Sequence, residues 1–201
     1  YTPYLRHQRP SKIAGWFPLV GVFLLSGCAS IMGSVTGGLA SNLSAAILNS
    51  DDPAMIRDGA PSYLILIDSL VAGSPDNSML LAQSAELHSA YAGAFVEDPV
   101  RAARLNRKAK AQILRSTCLS LKNACGLETR DFEEFSAWVD TQGLSSVPAL
   151  YNLGSIWAGW IQGNSSDFAA IAQLGRVKAL IQRVADLDPE HAIGGAFLYL
   201  G

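Results

Sequence analysis

The stretch VPALYNLGSIWAGWIQ, residues 147–162, decides what kind of fold this chain adopts. Its large apolar side chains recur every three or four positions, which places them on one face of an α-helix: Leu150, Leu153, Trp157 and Ile161. No charged residue occurs from position 141 to position 166. Because a helix that is apolar almost all round is buried on most sides, we expect a central core helix. The alternative is a helix that lines an apolar cavity.

Helical periodicity continues on both sides of this stretch. Six further windows show it, separated by short breaks that contain Pro or Gly: residues 61–71, 77–96, 99–121, 130–141, 167–187 and a last window that opens at Asp188-Pro189. No window after Cys28 sustains the period-two alternation of a strand. Helices joined by short connections pack as antiparallel neighbours. The chain is therefore predicted to be all-α, built from stacked antiparallel helix pairs.

Small residues inside these helices favour close stacking. Ala and Gly recur at positions 85, 90, 92, 93 and 94, and again at 154, 158 and 159. Together with the joint Leu187-Asp188-Pro189-Glu190, they predict a tetratricopeptide-like (TPR-like) solenoid, whose repeat is about 34 residues long. A plain helical bundle is the alternative, because windows 77–96 and 99–121 are longer than the helices of such a repeat.

The first 27 residues have the layout of a bacterial lipoprotein signal peptide. A basic segment with Arg6, Arg9 and Lys12 precedes the mostly apolar residues 13–25, which are too few for a bilayer span of about 20 residues. Small residues then precede Cys28, which suits thioether lipidation. We expect a signal peptide at 1–27, a lipidated Cys28 with a Gly/Ser-rich tether at 28–50, and a helical domain at 51–201. An ordinary secretory signal and a short membrane anchor are the alternatives.

Such a chain is anchored in a membrane and faces the periplasm. Ala29, rather than Asp, follows the lipidation site, which slightly favours the outer membrane. Because the periplasm is oxidising, Cys118 and Cys125 are candidates for a disulfide. In an unbroken helix they would lie about 10.5 Å apart along the axis, beyond the roughly 7 Å limit between bridged Cα atoms. The bridge therefore requires the helix to end near Leu121; otherwise both residues are small buried hydrophobes.

The third window carries a basic stripe. Its members recur at helical spacing on one face: Arg101, Arg104, Lys108 and Arg115, followed by Lys122. One interpretation is a docking surface for an acidic partner, where charge sets association rate and orientation more than affinity. The other is a solvated face that is partly neutralised by the acidic window 130–141.

Composition and motifs argue against nucleic-acid binding, metal binding and catalysis. The 201 residues have a pI near 5.9, whereas a nucleic-acid binder usually has a strongly basic face. The motifs HExxH, CxxC, GxSxG and GxxxxGK are absent. His88 lies mid-helix, which is typical of a core or groove histidine, and His191 is expected to be exposed. We expect no enzymatic activity, no metal, no cofactor and no nucleic-acid partner.

Short segments spread along the chain carry a family signature. The most specific are VPALY at 147–151, WAGWI at 157–161 and LDPE at 187–190; the others are LSAAI at 43–47, DDP at 51–53, PSYL at 61–64 and LYLG at 198–201. Together they resemble the TRAP transporter T-component family, TPR-type lipoproteins associated with tripartite ATP-independent periplasmic transporters. The likeness runs from about residue 38 to residue 201. Chains of this family normally continue into further repeat helices, so we expect this chain to be incomplete at its C-terminus.

The resemblance implies an accessory role in transport. Proteins of this family look like scaffolds that bind the transporter's solute-binding protein and assemble into ring-shaped homo-oligomers. The resemblance also implies an internal apolar pore that holds or passes a small, hydrophobic solute. Its candidate lining here is aromatic: Tyr91, Tyr151, Trp157, Trp160, Phe197 and Tyr199. The alternative function is a TPR-like protein–protein scaffold in outer-membrane or envelope assembly, which needs the helices and the lipid but no cavity.

Overall fold

The structure is a computed structural model that describes residue 42, residues 45–47 and residues 49–200. The predicted signal peptide, Cys28 and most of the tether at 28–50 lie outside the described residues. Residues 53–200 form eight α-helices: α1 Pro53–Gly73, α2 Ser78–Phe95, α3 Pro99–Ser120, α4 Phe132–Asp140, α5 Val147–Gln162, α6 Phe168–Ile171, α7 Leu174–Leu187 and α8 His191–Leu200. A 3₁₀-helix, Leu144–Ser146, precedes α5. No strand occurs in these described parts, so the predicted all-α fold is confirmed.

Helix α5 is the centre of the packing. It contacts α2, α3, α7 and α8, while α1 packs on α2, α2 on α3, and α4 and α8 on α7. Near the end of α3, the Ser116 hydroxyl donates a hydrogen bond of 2.7 Å to the carbonyl of Ser78 at the start of α2. Helices α2 and α3 are therefore antiparallel neighbours, as the short break between them predicts. The central place of α5 explains why its sequence is free of charge.

Most helices begin at a polar cap that the sequence supplies. In each case a side-chain oxygen accepts a hydrogen bond from a backbone N–H of the first turn, which satisfies one of the amides left unpaired at a helix start. The capping residues are Asp52, Asn77, Asp98, Asp131 and Asp167. Pro53 and Pro99 directly follow two of these caps, at a position where a missing N–H costs nothing.

The start of the first helix differs from the prediction. The window 61–71 begins at Pro61, but α1 begins eight residues earlier at Pro53 and continues through Pro61. A proline inside a helix leaves the carbonyl four residues before it without its usual donor. Here that carbonyl belongs to Arg57, and the Tyr91 hydroxyl of α2 donates to it at 3.4 Å. This contact between helices gives the freed carbonyl a partner.

The predicted helix at 167–187 is two helices. Helix α6 ends at Ile171 and α7 begins at Leu174, with Gln173 between them. The Gln173 side chain accepts hydrogen bonds from the Trp157 indole at 2.8 Å and from the Lys110 ammonium at 3.0 Å. The break therefore coincides with a partly buried polar contact that periodicity alone does not reveal.

Two apolar clusters hold the described helices together. The larger one packs α5 against α3, α4 and α7 around the fully buried Trp157 and Phe135, whose rings meet edge to face at 5.9 Å. The smaller one lies between α1 and α2 and includes Ile67 and Leu80. At Gly154, a Cβ atom would lie 2.7 Å from Cδ1 of Ile181 on α7. A side chain at this position would force Ile181 to shift, so α5 and α7 approach closely here.

None of the described helices combines the length and the apolar character needed to cross a membrane.

Candidate functional site

A groove of about 530 Å³ opens between α2, α5 and α8, with one residue of α3 in its wall. We call it the central groove. Its polar and aromatic lining consists of Glu86, Ser89, Asn106, Tyr151, Asn152, Ser155, Gln162 and Tyr199. Small residues of α2 and α5 complete it, among them Gly93 and Gly159. It is a concave site that combines aromatic rings with a few polar groups, the usual character of a small-molecule site.

Close packing of glycines on α5 brings Asn106 into the groove wall. A Cβ atom at Gly159 would lie 3.1 Å from the Ser89 hydroxyl of α2. A Cβ atom at Gly163 would lie 2.9 Å from the Asn106 amide nitrogen of α3. Asn106 is almost fully buried, and its Oδ1 atom has no hydrogen-bond partner among the described residues. Since buried acceptors are normally paired, this oxygen is a candidate ligand contact.

Tyr151 and Tyr199 form the aromatic side of the central groove. Their ring centroids lie 6.3 Å apart with the planes nearly perpendicular, a favourable arrangement of two rings. His191 also packs on Tyr151, with the ring centroids 5.2 Å apart. Burial raises the pKa of the Tyr199 phenol, so this hydroxyl group stays protonated at physiological pH. The two rings therefore offer π faces and hydroxyl groups.

Glu86 is the one charged side chain among the described residues that line the central groove. It lies mid-way along α2 and is partly buried. Burial raises the pKa of its carboxyl group. No Lys or Arg lines this groove, so the carboxylate gains no compensating cation from the wall. The groove accordingly combines a single carboxyl group with neutral amide and hydroxyl groups.

The remaining aromatic residues that were predicted to line a pore lie elsewhere. Trp157 is fully buried in the core, and its partner is Gln173 rather than a cavity. Trp160 packs against that core, Phe197 is exposed, and Tyr91 lines a separate pocket. Of the six candidates, the central groove contains Tyr151 and Tyr199. A helical wheel gives a residue its face, but it does not say which neighbour packs there.

Lys110 is a buried residue whose role the sequence reasoning missed. Its ammonium group lies 3.5 Å from the ring centroid of Trp160 and 4.8 Å from that of Trp157. It also donates to Glu128 at 2.7 Å and to Gln173. Burial lowers its pKa, while the Glu128 carboxylate acts in the opposite direction. The sequence did contain a sign of this role. Residues two positions apart lie about 200° apart around a helix axis, so Lys110 is on nearly the opposite side of α3 from Lys108.

The first half of α3 presents exposed guanidinium groups. Arg101, Arg104 and Arg107 are all exposed to solvent. The Arg101 guanidinium carbon lies 5.7 Å from the centroid of the Tyr91 ring, within the range of a cation–π contact. These three residues form what we call the arginine surface.

The other two predicted docking residues are paired within the chain. Lys108 forms an ion pair with Asp68 of α1, and the same carboxylate lies 3.6 Å from the buried His88 ring. Arg115 forms an exposed pair with Asp76 at 2.6 Å. Among the described residues, the stripe is thus neutralised from α1 and the turn after it, whereas the sequence interpretation assigned this role to window 130–141.

Apolar side chains of α1 and α2 line a second, smaller pocket of about 210 Å³. Its lining includes Ile56, Leu64, Tyr91 and Phe95. The rings of Tyr91 and Phe95 lie 5.7 Å apart. This pocket and the central groove share Ala90 of α2 as a wall residue.

A disulfide joins Cys118 and Cys125 in the structure, with their Cα atoms 4.3 Å apart. Helix α3 ends at Ser120, so the chain turns back as the bridge requires. Gly126 and Asn123 adopt positive φ angles in this turn, a conformation that glycine and asparagine tolerate best. The loop that follows carries Glu128 to Lys110.

The described residues contain no group of three or more His, Cys, Asp and Glu side chains placed to hold a metal ion. His88 is buried against Ser84, as a core histidine would be. His191 is partly buried rather than exposed, because it packs on Tyr151.

Comparison with known proteins gives the family. No curated protein matches the chain. The family model for the TRAP transporter T-component matches residues 49–201, which is most of the chain and includes every helix described above. The expected resemblance is confirmed. The chain therefore belongs to the TRAP transporter T-component family, and its role is associated with a TRAP transport system.

Proposed function

We propose that this protein is a periplasm-facing scaffold that binds the solute-binding protein of a TRAP transporter and holds a small solute in its central groove. The observation that carries the proposal is the groove itself, a concave site on a helical scaffold in a chain of the TRAP T-component family. Concave sites with aromatic walls and few polar groups are where proteins bind small ligands. The role is one of binding and transfer, without catalysis.

The arginine surface is the proposed docking site for the solute-binding protein. Its side chains are exposed and carry three positive charges on adjacent turns of one helix. Such a surface steers an acidic partner and fixes its orientation. Lys108 and Arg115 contribute less, because each already has an aspartate partner.

Anchoring and assembly belong to the same proposal. The small residues that end at Cys28 form a lipoprotein processing motif, or lipobox. This motif supports a lipid anchor in a bacterial membrane, with the outer membrane slightly favoured. A homo-oligomer is proposed from the family resemblance. An anchored scaffold of this kind meets its diffusible partner at the membrane surface.

A pull-down from solubilised envelope tests this function. The bait is the tagged full-length protein, and mass spectrometry identifies the proteins recovered with it. We expect a TRAP solute-binding protein, and we expect its recovery to fall at least about tenfold for the double variant R101E/R104E, since close charge pairs at interfaces are worth more than about 1.4 kcal/mol.

The matched control reverses the same number of charges outside the arginine surface. Lys122 and Lys178 are exposed basic residues on the loop after α3 and on α7. The variant K122E/K178E should recover the solute-binding protein as the unchanged protein does. Loss of recovery in both double variants would show an effect of net charge rather than a docking site.

The polar part of the groove also supports a second candidate function, a protein–protein scaffold in envelope assembly. Asn152 and Gln162 suit a groove that accepts polar side chains of a partner protein. In the same pull-down, recovery of outer-membrane assembly proteins without a solute-binding protein would favour this second function and refute the first.

A further inference from the structure

We infer that the central groove binds a small primary alkylammonium compound, with Glu86 as its counter-ion and Tyr151 and Tyr199 against its alkyl chain and charged head. This inference rests on the proposed solute-holding role and names its ligand class. The resemblance alone implied a hydrophobic solute in an apolar pore. The groove that contains the predicted tyrosines has a different chemistry.

The carboxyl group in the groove determines whether a cationic or an anionic ligand is favoured. Glu86 is its one charged lining residue in the described part of the chain, and no Lys or Arg faces it. An anionic solute would meet a carboxylate and no cation, which is unfavourable in a partly desolvated site. A cationic solute would instead form a charge-assisted hydrogen bond with this carboxylate, one of the stronger polar contacts in proteins.

The neutral groups select the kind of cation. The buried Asn106 Oδ1 atom has no donor, and a primary ammonium group supplies three N–H donors. The Tyr151 and Tyr199 rings, 6.3 Å apart, attract a cation placed over their faces and also cover apolar chain. A quaternary ammonium would gain the ring contacts but leave the Asn106 oxygen without a donor.

The size of the groove limits the length of the ligand. Its volume is about 530 Å³, within the range of small-molecule sites. At Gly93 in its wall, a Cβ atom would meet nothing within 4 Å, which leaves room for an alkyl chain beside α2. An amine with a short aliphatic tail therefore fits both the volume and the polarity.

Three five-carbon probes with different head groups test the inference. They are n-pentylammonium, n-pentanol and n-pentanoate, titrated into the full-length protein by calorimetry and ligand-observed NMR. We expect the ammonium probe to bind about tenfold or more tightly than the alcohol, because a hydrogen bond to a charged group contributes about 1.5 kcal/mol or more. Pentanoate should bind most weakly. Equal binding of alcohol and ammonium, tighter binding of pentanoate, or no binding of the ammonium probe would overturn the inference.

Two variants locate the site. E86Q should weaken the ammonium probe about tenfold and leave the alcohol unchanged, while E133Q, at an exposed position of α4, should change neither. Y199L removes a ring from the exposed last helix and should weaken ammonium binding, whereas F197L on the same helix should not. The Tyr199 pair keeps the test decisive if E86Q does not fold. An unchanged ammonium affinity in both E86Q and Y199L would overturn the site.

The pH dependence gives a second readout. Because burial raises the pKa of Glu86, acidification neutralises it earlier than an exposed carboxyl, and ammonium affinity should fall from pH 7.5 to pH 5. The other titratable groups near the groove are Tyr151, Tyr199 and His191; burial raises the pKa of the Tyr199 phenol, which therefore stays neutral in this range. In E86Q, only His191 is left to change the ammonium affinity with pH. The part of the pH dependence that comes from Glu86 should therefore be absent from this variant. A wild-type affinity that does not change with pH would contradict the role of Glu86.

These results are separable from the docking proposal. Recovery of a solute-binding protein without ammonium binding would refute this inference and leave the scaffold role standing. Ammonium binding without recovery of a solute-binding protein would support the groove and refute the docking partner.

Discussion

Replacing Gly154 by alanine tests whether α5 and α7 pack as closely as the structure shows. The new Cβ atom would lie 2.7 Å from Ile181 Cδ1, 3.1 Å from Ile181 Cγ1 and 3.4 Å from Leu180 Cβ. Both neighbours are fully buried, so they have little room to move. Overpacking of this kind costs about 1–3 kcal/mol, which opposes the gain of about 1 kcal/mol from replacing glycine in a helix.

Gly93 provides the matched control. It lies inside α2, and a Cβ atom there would meet nothing within 4 Å. G93A should therefore show only the gain in helix propensity, which adds about 1 kcal/mol to the free energy of unfolding. The free energy of unfolding of G154A should be about 1–3 kcal/mol below that of G93A.

Urea unfolding followed by circular dichroism measures this difference. Equal slopes of free energy against urea would show that the two variants differ in stability alone. If G154A is as stable as G93A, the close approach of α5 to α7 is wrong, and so is the position of α5 as the central helix.

Three further outcomes follow from the structure. Replacing Cys118 and Cys125 by serine should lower stability by about 2.5 kcal/mol, the loop-closure value for a short loop, measured by urea unfolding; no loss would contradict the bridge. Burial lowers the pKa of His88 below its value in the unfolded chain, so the unfolded state binds the proton first as the pH drops. The stability of the protein should therefore fall as pH drops through about 6.5. Thermal unfolding between pH 7.5 and pH 5 measures this loss, which should be smaller in H88Q. K110M should lower stability by about 2 kcal/mol and shift tryptophan fluorescence, because the cation lies over two indole rings and bonds to a carboxylate; K178M, at an exposed position, should do neither.

The periodic part of the sequence predicted the fold well for a physical reason. Helix α5 has the predicted bounds, and its face Leu150, Leu153, Trp157 and Ile161 is buried throughout. A long charge-free helix with regular apolar spacing has few alternatives to the centre of a helical domain. The caps Asn77 and Asp98 likewise coincide with the breaks that were predicted beside them.

The errors arose where a contact between helices overrides a local rule. Pro61 indicates a helix start, but a hydroxyl from α2 supplies the donor that the proline removes. Window 167–187 has unbroken periodicity, but its Gln173 is bonded to α3 and α5. Neither contact is visible in the sequence, because each joins residues that are 16 to 63 positions apart.

Two of the six residues that were predicted to line a pore, Tyr151 and Tyr199, lie in the wall of the central groove. Glu86 and Asn106 also lie there but were not singled out. A partly buried carboxyl without a nearby cation has no sequence signature, since its character depends on which helix packs beside it. The aromatic residues of α5 share one segment but face different neighbours, and so Trp157 belongs to the core.

The affinity between this protein and a purified TRAP solute-binding protein tests the central claim most directly. Biolayer interferometry at two salt concentrations, with the full-length protein and its R101E/R104E variant, provides the measurement. The account predicts binding that weakens with salt and falls at least about tenfold on charge reversal, while K122E/K178E binds normally. Absence of binding, or binding that neither salt nor reversal of Arg101 and Arg104 alters, would contradict it.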